Sequence, residues 1–183
     1  YDHCPRCKDA HEDQWHILQC QEEGAQAAWK IALTNLRDSM VTLGCPSDLP
    51  DAIVVHLNLW RAGSNHHFIN PPHWTPLTQA ILRAQKDIGW DLFLDGCLSH
   101  LWEETLDIYL KSLDSKNTGL RWTSALIRKL WDTSWDMWEH RNNSLHGTSP
   151  DTKLLGLDIV DEHIRNEYLK GIEPLMTSDE KTL

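Results

Sequence analysis

The sequence predicts an all-α fold, an irregular bundle of helices. Apolar residues recur every three or four positions in several separate segments, which is the period of a helix with one buried face. Glycine, proline and asparagine gather between these segments, where they end one helix and open the next. We find no convincing segment with the alternation of apolar and polar residues that a half-buried strand requires. These three observations favour helices throughout.

The first two predicted helices follow a cysteine-rich start. Apolar residues in 25–43 form one stripe, and Gly44 ends it. Either Ser47 or Asp48 can cap the second helix, because short polar side chains accept hydrogen bonds from the first turn. Gly63 stops this second helix.

Later elements are separated by clear breaks. Turn formers and paired prolines in 63–74 predict irregular structure. Thr75-Pro76 fits an N-cap with proline at the first helical position, and Ser99 can cap a further helix. The strongest helical period in the chain follows a polar turn at 114–119, and His146-Gly147 closes that helix.

The length of 183 residues suits one domain, or a small appendage plus one domain. A last helix is predicted to start at Ser149-Pro150. We therefore predict three parts. They are a small cysteine-rich unit at residues 1–24, a helical domain at 25–172 and a flexible tail at 173–183.

Composition excludes several classes of function. Lysine and arginine total 17 against 27 aspartates and glutamates, so the formal charge is −10 and the chain is a poor candidate for a whole-surface nucleic-acid binder. No apolar run approaches the ~20 residues that span a bilayer, and we expect an intracellular protein with no membrane partner. Ten tryptophans against two phenylalanines indicate a core built on indoles, or a stacking surface.

Four residues near the amino terminus have the spacing of a metal site. Cys4 and Cys7, then His16 and Cys20, read C-x2-C-x8-H-x3-C. Three thiolates and one imidazole make a closed tetrahedral set, which predicts a structural Zn²⁺ ion. His11 is the competing fourth ligand, and three free cysteines that are merely near each other in sequence are the plain alternative. Five cysteines in all, an odd number that includes a CxxC pair, favour a metal site in a reducing compartment over a disulfide scaffold.

These motifs resemble a known family. Cys4-Pro5-x-Cys7, then Glu12 four residues before His16, then Cys20, is similar to the zinc-binding domain downstream of the polymerase in non-LTR retrotransposon reverse transcriptases. The segment Trp135-x2-Trp138-x2-Arg141-Asn142 is similar to the W-x2-W-x2-R-N motif of the same elements. The resemblance covers residues 4–146, and it departs from the family in a histidine–cysteine gap of three residues where four is common.

The resemblance implies a non-catalytic accessory domain stabilised by a zinc knuckle at residues 1–24. Its expected role is to help engage RNA or DNA, or another part of the same polyprotein such as an upstream polymerase domain. Since the chain is acidic, nucleic acid would contact only a local patch, for which Arg6, Lys8 and Arg141 are the candidates. The alternative is a protein–protein interaction domain without a nucleic-acid role.

Two further predictions concern the helix that ends near His146. The stripe of Trp131, Trp135 and Trp138 is expected to pack in the core, because it lacks the interleaved cations of a base-stacking groove. Arg141 and Asn142 are expected to cap the end of that helix. A basic stripe on the surface would favour nucleic acid as the partner, whereas an exposed tryptophan patch would favour a protein partner.

Overall fold

The computed structural model describes residues 3–64 and 68–147. Over these residues the protein is all-α, as predicted, with seven helices and no strand. One isolated antiparallel bridge joins His3 to His11. The helices are α1 (Gln14–Gln19), α2 (Glu23–Leu43), α3 (Leu49–Arg61), α4 (Pro76–Ile88), α5 (Trp90–Leu94), α6 (His100–Ser112) and α7 (Gly119–His146).

Three helices begin at the predicted N-cap residues Asp48, Thr75 and Ser99, but the side chains of Asp48 and Ser99 make no capping hydrogen bond. The side chain of Thr75 accepts a hydrogen bond from the Thr78 N–H, and Pro76 opens α4. Gly44 follows α2 with a φ of 76°, a conformation that favours glycine. Gly119 differs from the prediction, since it begins α7 instead of closing the preceding turn. A Cβ atom there would lie 2.0 Å from the Glu103 carbonyl oxygen, so only glycine lets α7 start this close to α6.

The hydrophobic core is rich in indoles, as the composition suggested. Helix α2 packs on α3, α3 packs on α5, and α4 packs on both α5 and α6. Trp102 and Trp122 are fully buried and stack with ring centroids 6.3 Å apart. The Trp102 indole N–H donates to Gln85 Oε1 at 2.9 Å, and that of Trp29 donates to Asn58 Oδ1 at 2.9 Å. These bonds satisfy the polar end of a large apolar side chain.

The prediction that Trp131, Trp135 and Trp138 pack in the core is wrong. Their exposed fractions are 57%, 59% and 43%. The buried stripe of α7 instead contains Leu126 and Met137, and its members are spaced by three and four residues as a core stripe requires. The helical period was therefore identified correctly, but the tryptophans occupy a neighbouring face. The Trp131 indole N–H donates to the Asp95 carbonyl oxygen at 3.1 Å.

Contacts divide the chain into two units, Tyr1–Arg141 and Asn142–Leu183. The first unit contains both the cysteine-rich segment and the helices up to Arg141 in α7. The predicted last helix and the predicted tail at 173–183 lie outside the described residues. None of the described helices combines the length and the apolar character needed to cross a membrane.

Candidate metal centre

Four side chains near the amino terminus converge on one point. The sulfurs of Cys4, Cys7 and Cys20 and a ring nitrogen of His16 all lie within 4.8 Å of one another. The Cys4 and Cys20 sulfurs are 3.9 Å apart, and the Cys7 sulfur is 3.3 Å from His16 Nε2. These residues lie close enough to hold a metal ion. His11, the competing fourth ligand, is not in this group, and its backbone forms the bridge to His3.

Local backbone structure brings the four ligands together. The Cys4 N–H donates to the Ala10 carbonyl at 2.9 Å, and the Lys8 N–H donates to the Cys4 carbonyl at 2.8 Å. Lys8 has a φ of 62°, which turns the chain back after the CxxC pair. On the other side, Asp13 caps α1 by accepting from the His16 N–H at 2.7 Å. The short helix α1 carries His16, and Cys20 caps its end by donating its N–H to the His16 carbonyl at 2.8 Å, which places the last ligand beside His16.

The ligands differ in exposure. Cys4 and Cys20 are fully buried, whereas Cys7 and His16 are half-buried and line an open groove of about 870 Å³. Burial raises the pKa of the Cys20 thiol to about 11. Burial also opposes ionisation of Cys4, but backbone N–H groups of Cys7 and Arg6 and the Arg6 guanidinium outweigh it and lower the pKa of that thiol. Of the two buried cysteines, Cys4 is therefore the easier to ionise.

Arg6 lies inside the site. Only 8% of it is exposed, and its Nη2 donates to the Ile17 carbonyl at 2.6 Å. Among the described residues its Nε and Nη1 have no hydrogen-bond partner. Hydrogen bonding to Arg6 helps lower the pKa of Cys4, whereas at Cys20 the Arg6 charge only partly offsets the raising effect of burial on the pKa. A buried guanidinium that hydrogen-bonds to the Cys4 sulfur favours the ionised form of that thiol, which is the form that binds metal.

Arg61, from the end of α3, is a second buried cation that sequence analysis missed. Its Nε donates to the Leu18 carbonyl at 2.9 Å, and its Nη2 donates to the carbonyls of Cys20 and Ala25 at 2.5 and 3.3 Å. Its guanidinium also lies 5.1 Å from the centroid of the Trp29 ring. The available signal was its helical register, because Arg61 is four residues after Leu57, on the buried face of α3.

An ion pair ties the segment between Cys7 and α1 to α7. Arg141 Nε lies 2.9 and 3.1 Å from the two carboxylate oxygens of Glu12, and its Nη2 also donates to Glu12. The exposed fractions of the two side chains are 15% and 8%. Hydrogen bonding to Arg141 holds the pKa of Glu12 below its ordinary value. The predicted capping role of Arg141 gives way to this contact, since α7 continues to His146.

No family model, curated protein or solved structure matches this chain.

The three candidate nucleic-acid contacts lie in different settings. Lys8 is exposed at the turn after Cys7. Arg6 is buried against the metal ligands, and Arg141 is bound to Glu12. The structure thus brings the four predicted metal ligands together, whereas it directs two of the three predicted cations toward internal partners.

Proposed function

We propose that this chain is a non-catalytic accessory domain held together by a structural Zn²⁺ ion. The observation that carries the proposal is the convergence of Cys4, Cys7, His16 and Cys20. A tetrahedral zinc ion with ordinary bond lengths separates two sulfurs by about 3.8 Å, and a sulfur from a nitrogen by about 3.6 Å. The distances of 3.9 and 3.3 Å agree within a few tenths of an ångström. With four protein ligands no position is left for a substrate water, which supports a structural role.

The knuckle depends on such an ion for its own stability. Its buried hydrophobic cluster consists of Cys4, Cys20 and Ala25, with Cys7 packed against them. Three of these four residues are metal ligands, so the ligands themselves make up most of that small core. A segment of this kind gains its folding free energy from metal binding.

The charge of the proposed site is balanced by the protein. Three thiolates, a neutral imidazole and Zn²⁺ sum to −1, and two buried guanidinium groups, Arg6 and Arg61, lie against the ligands or their carbonyls. Buried charges require partners of this kind. The resemblance to the zinc-binding region of non-LTR retrotransposon reverse transcriptases then supports a place within a polyprotein, next to a polymerase in a reducing intracellular compartment.

Within this proposal we favour a protein segment as the partner over RNA or DNA. The three exposed tryptophans of α7 form the patch that favours a protein partner. A basic stripe is the feature that would favour nucleic acid, and both Arg6 and Arg141 are engaged internally. The nucleic-acid form of the proposal therefore depends on Lys8.

Metal analysis of the purified full chain tests the proposal. We expect one equivalent of zinc in the wild type. Cys20→Ala should lose this zinc, and its residues 1–20 should become sensitive to proteolysis. Cys97→Ala is the matched control, because Cys97 is exposed and lies outside the ligand group. A metal-free wild type, or full zinc content in Cys20→Ala, would contradict the proposal.

Binding of single-stranded RNA and duplex DNA at low salt distinguishes the two kinds of partner. If the partner is a protein, Lys8→Ala should leave the affinity of the chain for either nucleic acid unchanged at low salt. A loss of affinity in Lys8→Ala would establish the nucleic-acid form of the role instead.

A further inference from the structure

We propose that a groove walled by tryptophans of α7 binds a basic amphipathic helix of a partner protein. The tryptophan groove, as we call it, is lined mainly by Trp15 and Leu18 of α1, Leu94 of α5, and Trp131, Trp135 and Trp138 of α7. The inference deepens the protein-contact form of the proposed function and rests on it.

The groove exposes several large aromatic side chains together. Its volume is about 430 Å³, and more than half of Trp131 and of Trp135 is exposed. The Trp135 and Trp138 rings lie with centroids 4.7 Å apart at an angle of 35°, so they form a continuous aromatic wall. Tryptophan is enriched among the residues that dominate binding energy at protein interfaces. Indoles left exposed together favour a binding site.

The charged residues near the groove favour a basic partner. Asp95 lines it, and the exposed Asp132, Asp136 and Glu139 follow the tryptophan stripe on its solvent-facing side, outside the groove itself. The cations at nearby positions of α7 are Arg128, Lys129 and Arg141. Lys129 is bound to Asp132 at 2.8 Å and Arg141 to Glu12. The rim is thus acidic on balance, in a chain with a formal charge of −10. An occupant with lysine or arginine beside its apolar side chains complements it.

Repulsion among the carboxylates of α7 also favours a basic partner. Burial raises the pKa of Asp136, and the neighbouring charges of Asp132 and Glu139 raise it further. A cation placed beside these carboxylates would relieve the repulsion. The same carboxylates repel nucleic-acid phosphates and the equally acidic surface of a second copy of this chain.

A helix fits the groove better than an extended strand. Helices α1 and α7 form its walls, and the described residues offer no sheet edge to which a strand could add. A helical partner satisfies its own backbone hydrogen bonds and needs to bury only one apolar stripe. Side chains at positions i, i+3 and i+4 of such a partner would contact the indoles.

The test measures binding of two labelled model peptides to the full chain by fluorescence anisotropy. One is an amphipathic helix of leucine and lysine about four turns long, and the other has glutamate in place of every lysine. We expect the basic peptide to bind at least about tenfold more tightly than the acidic one. The affinity of the basic peptide for the double variant Trp135→Ala and Trp138→Ala should be at least about tenfold lower than for the wild type.

Ile108→Ala is the matched control, because Ile108 is 65% exposed on α6, away from the groove. It should leave the affinity unchanged. Replacing Asp132, Asp136 and Glu139 by their amides should remove most of the preference for the basic peptide. Circular dichroism and zinc content of every variant separate a lost groove from a lost fold or a lost metal centre.

Several results would overturn the inference. These are equal affinity for both peptides, no binding of the basic peptide up to about 1 mM, or an unchanged affinity in the tryptophan variant. If the wild type self-associated and the tryptophan variant did not, the groove would be assigned to a second copy of the chain. Binding of an oligouridine that depends on the same tryptophans would assign it to single-stranded nucleic acid.

Discussion

Arg61 shows how a single side chain can hold the metal-binding segment against the helical domain. Its guanidinium donates to carbonyls of Leu18, Cys20 and Ala25, which lie just before and just after the last ligand. Burial lowers the pKa of Arg61 to about 10, so the side chain stays charged at neutral pH. The fork of guanidinium N–H groups reaches several acceptors at once, which an ammonium group does not.

Arg61→Lys is therefore expected to destabilise the protein although it keeps the charge. We expect a loss of about 2–4 kcal/mol in the free energy of unfolding, because two or more buried carbonyls lose their donors. Urea denaturation followed by circular dichroism measures it. Arg83→Lys, at an exposed arginine of α4, should change the value by less than about 0.5 kcal/mol. Equal effects of the two substitutions would show that the carbonyl contacts of Arg61 contribute little.

At the scale of elements, the Glu12–Arg141 pair links the loop before α1 to the last turns of α7, across 129 residues. Both carboxylate oxygens of Glu12 accept hydrogen bonds from Nε of the Arg141 guanidinium, and both side chains are largely buried. Ion pairs of this kind are coupled strongly, since either partner alone would be left as a buried charge.

A double-mutant cycle with Glu12→Gln and Arg141→Gln should give a coupling energy of about 1–3 kcal/mol at neutral pH. The exposed pair Arg37–Asp51 should give a smaller coupling and serves as the control. Because the pKa of Glu12 is lowered in the folded state, its contribution is full above the ordinary glutamate value of about 4.3 and disappears as pH falls through the folded value. A coupling that grows upon acidification would contradict this account.

The elements also show what periodicity and capping residues can predict. The predicted breaks at Gly44 and Thr75-Pro76 fall where α2 ends and α4 begins, because these residues act through local backbone geometry. The exposed face of α7 was not predictable in the same way. Two apolar stripes lie on that helix, and only tertiary packing decides which of them is buried.

For the whole molecule, the spacing of four residues was enough to predict the group that converges near the amino terminus. That prediction succeeded because the ligands lie within 17 residues, from Cys4 to Cys20, on a turn and a short helix. Arg61 and Arg141 could not be predicted as its supports, since they are 41 and 129 residues from their partners. Contacts at such separations depend on the packing of several helices.

X-ray absorption at the zinc edge of the metal-loaded full chain tests the central claim most directly. Our account predicts a first shell of three sulfurs at about 2.3 Å and one nitrogen at about 2.0–2.1 Å. In His16→Ala the nitrogen should leave this shell while the three sulfurs remain. A shell dominated by oxygen or nitrogen, or one with fewer than three sulfurs, would contradict a Cys4, Cys7, His16 and Cys20 centre.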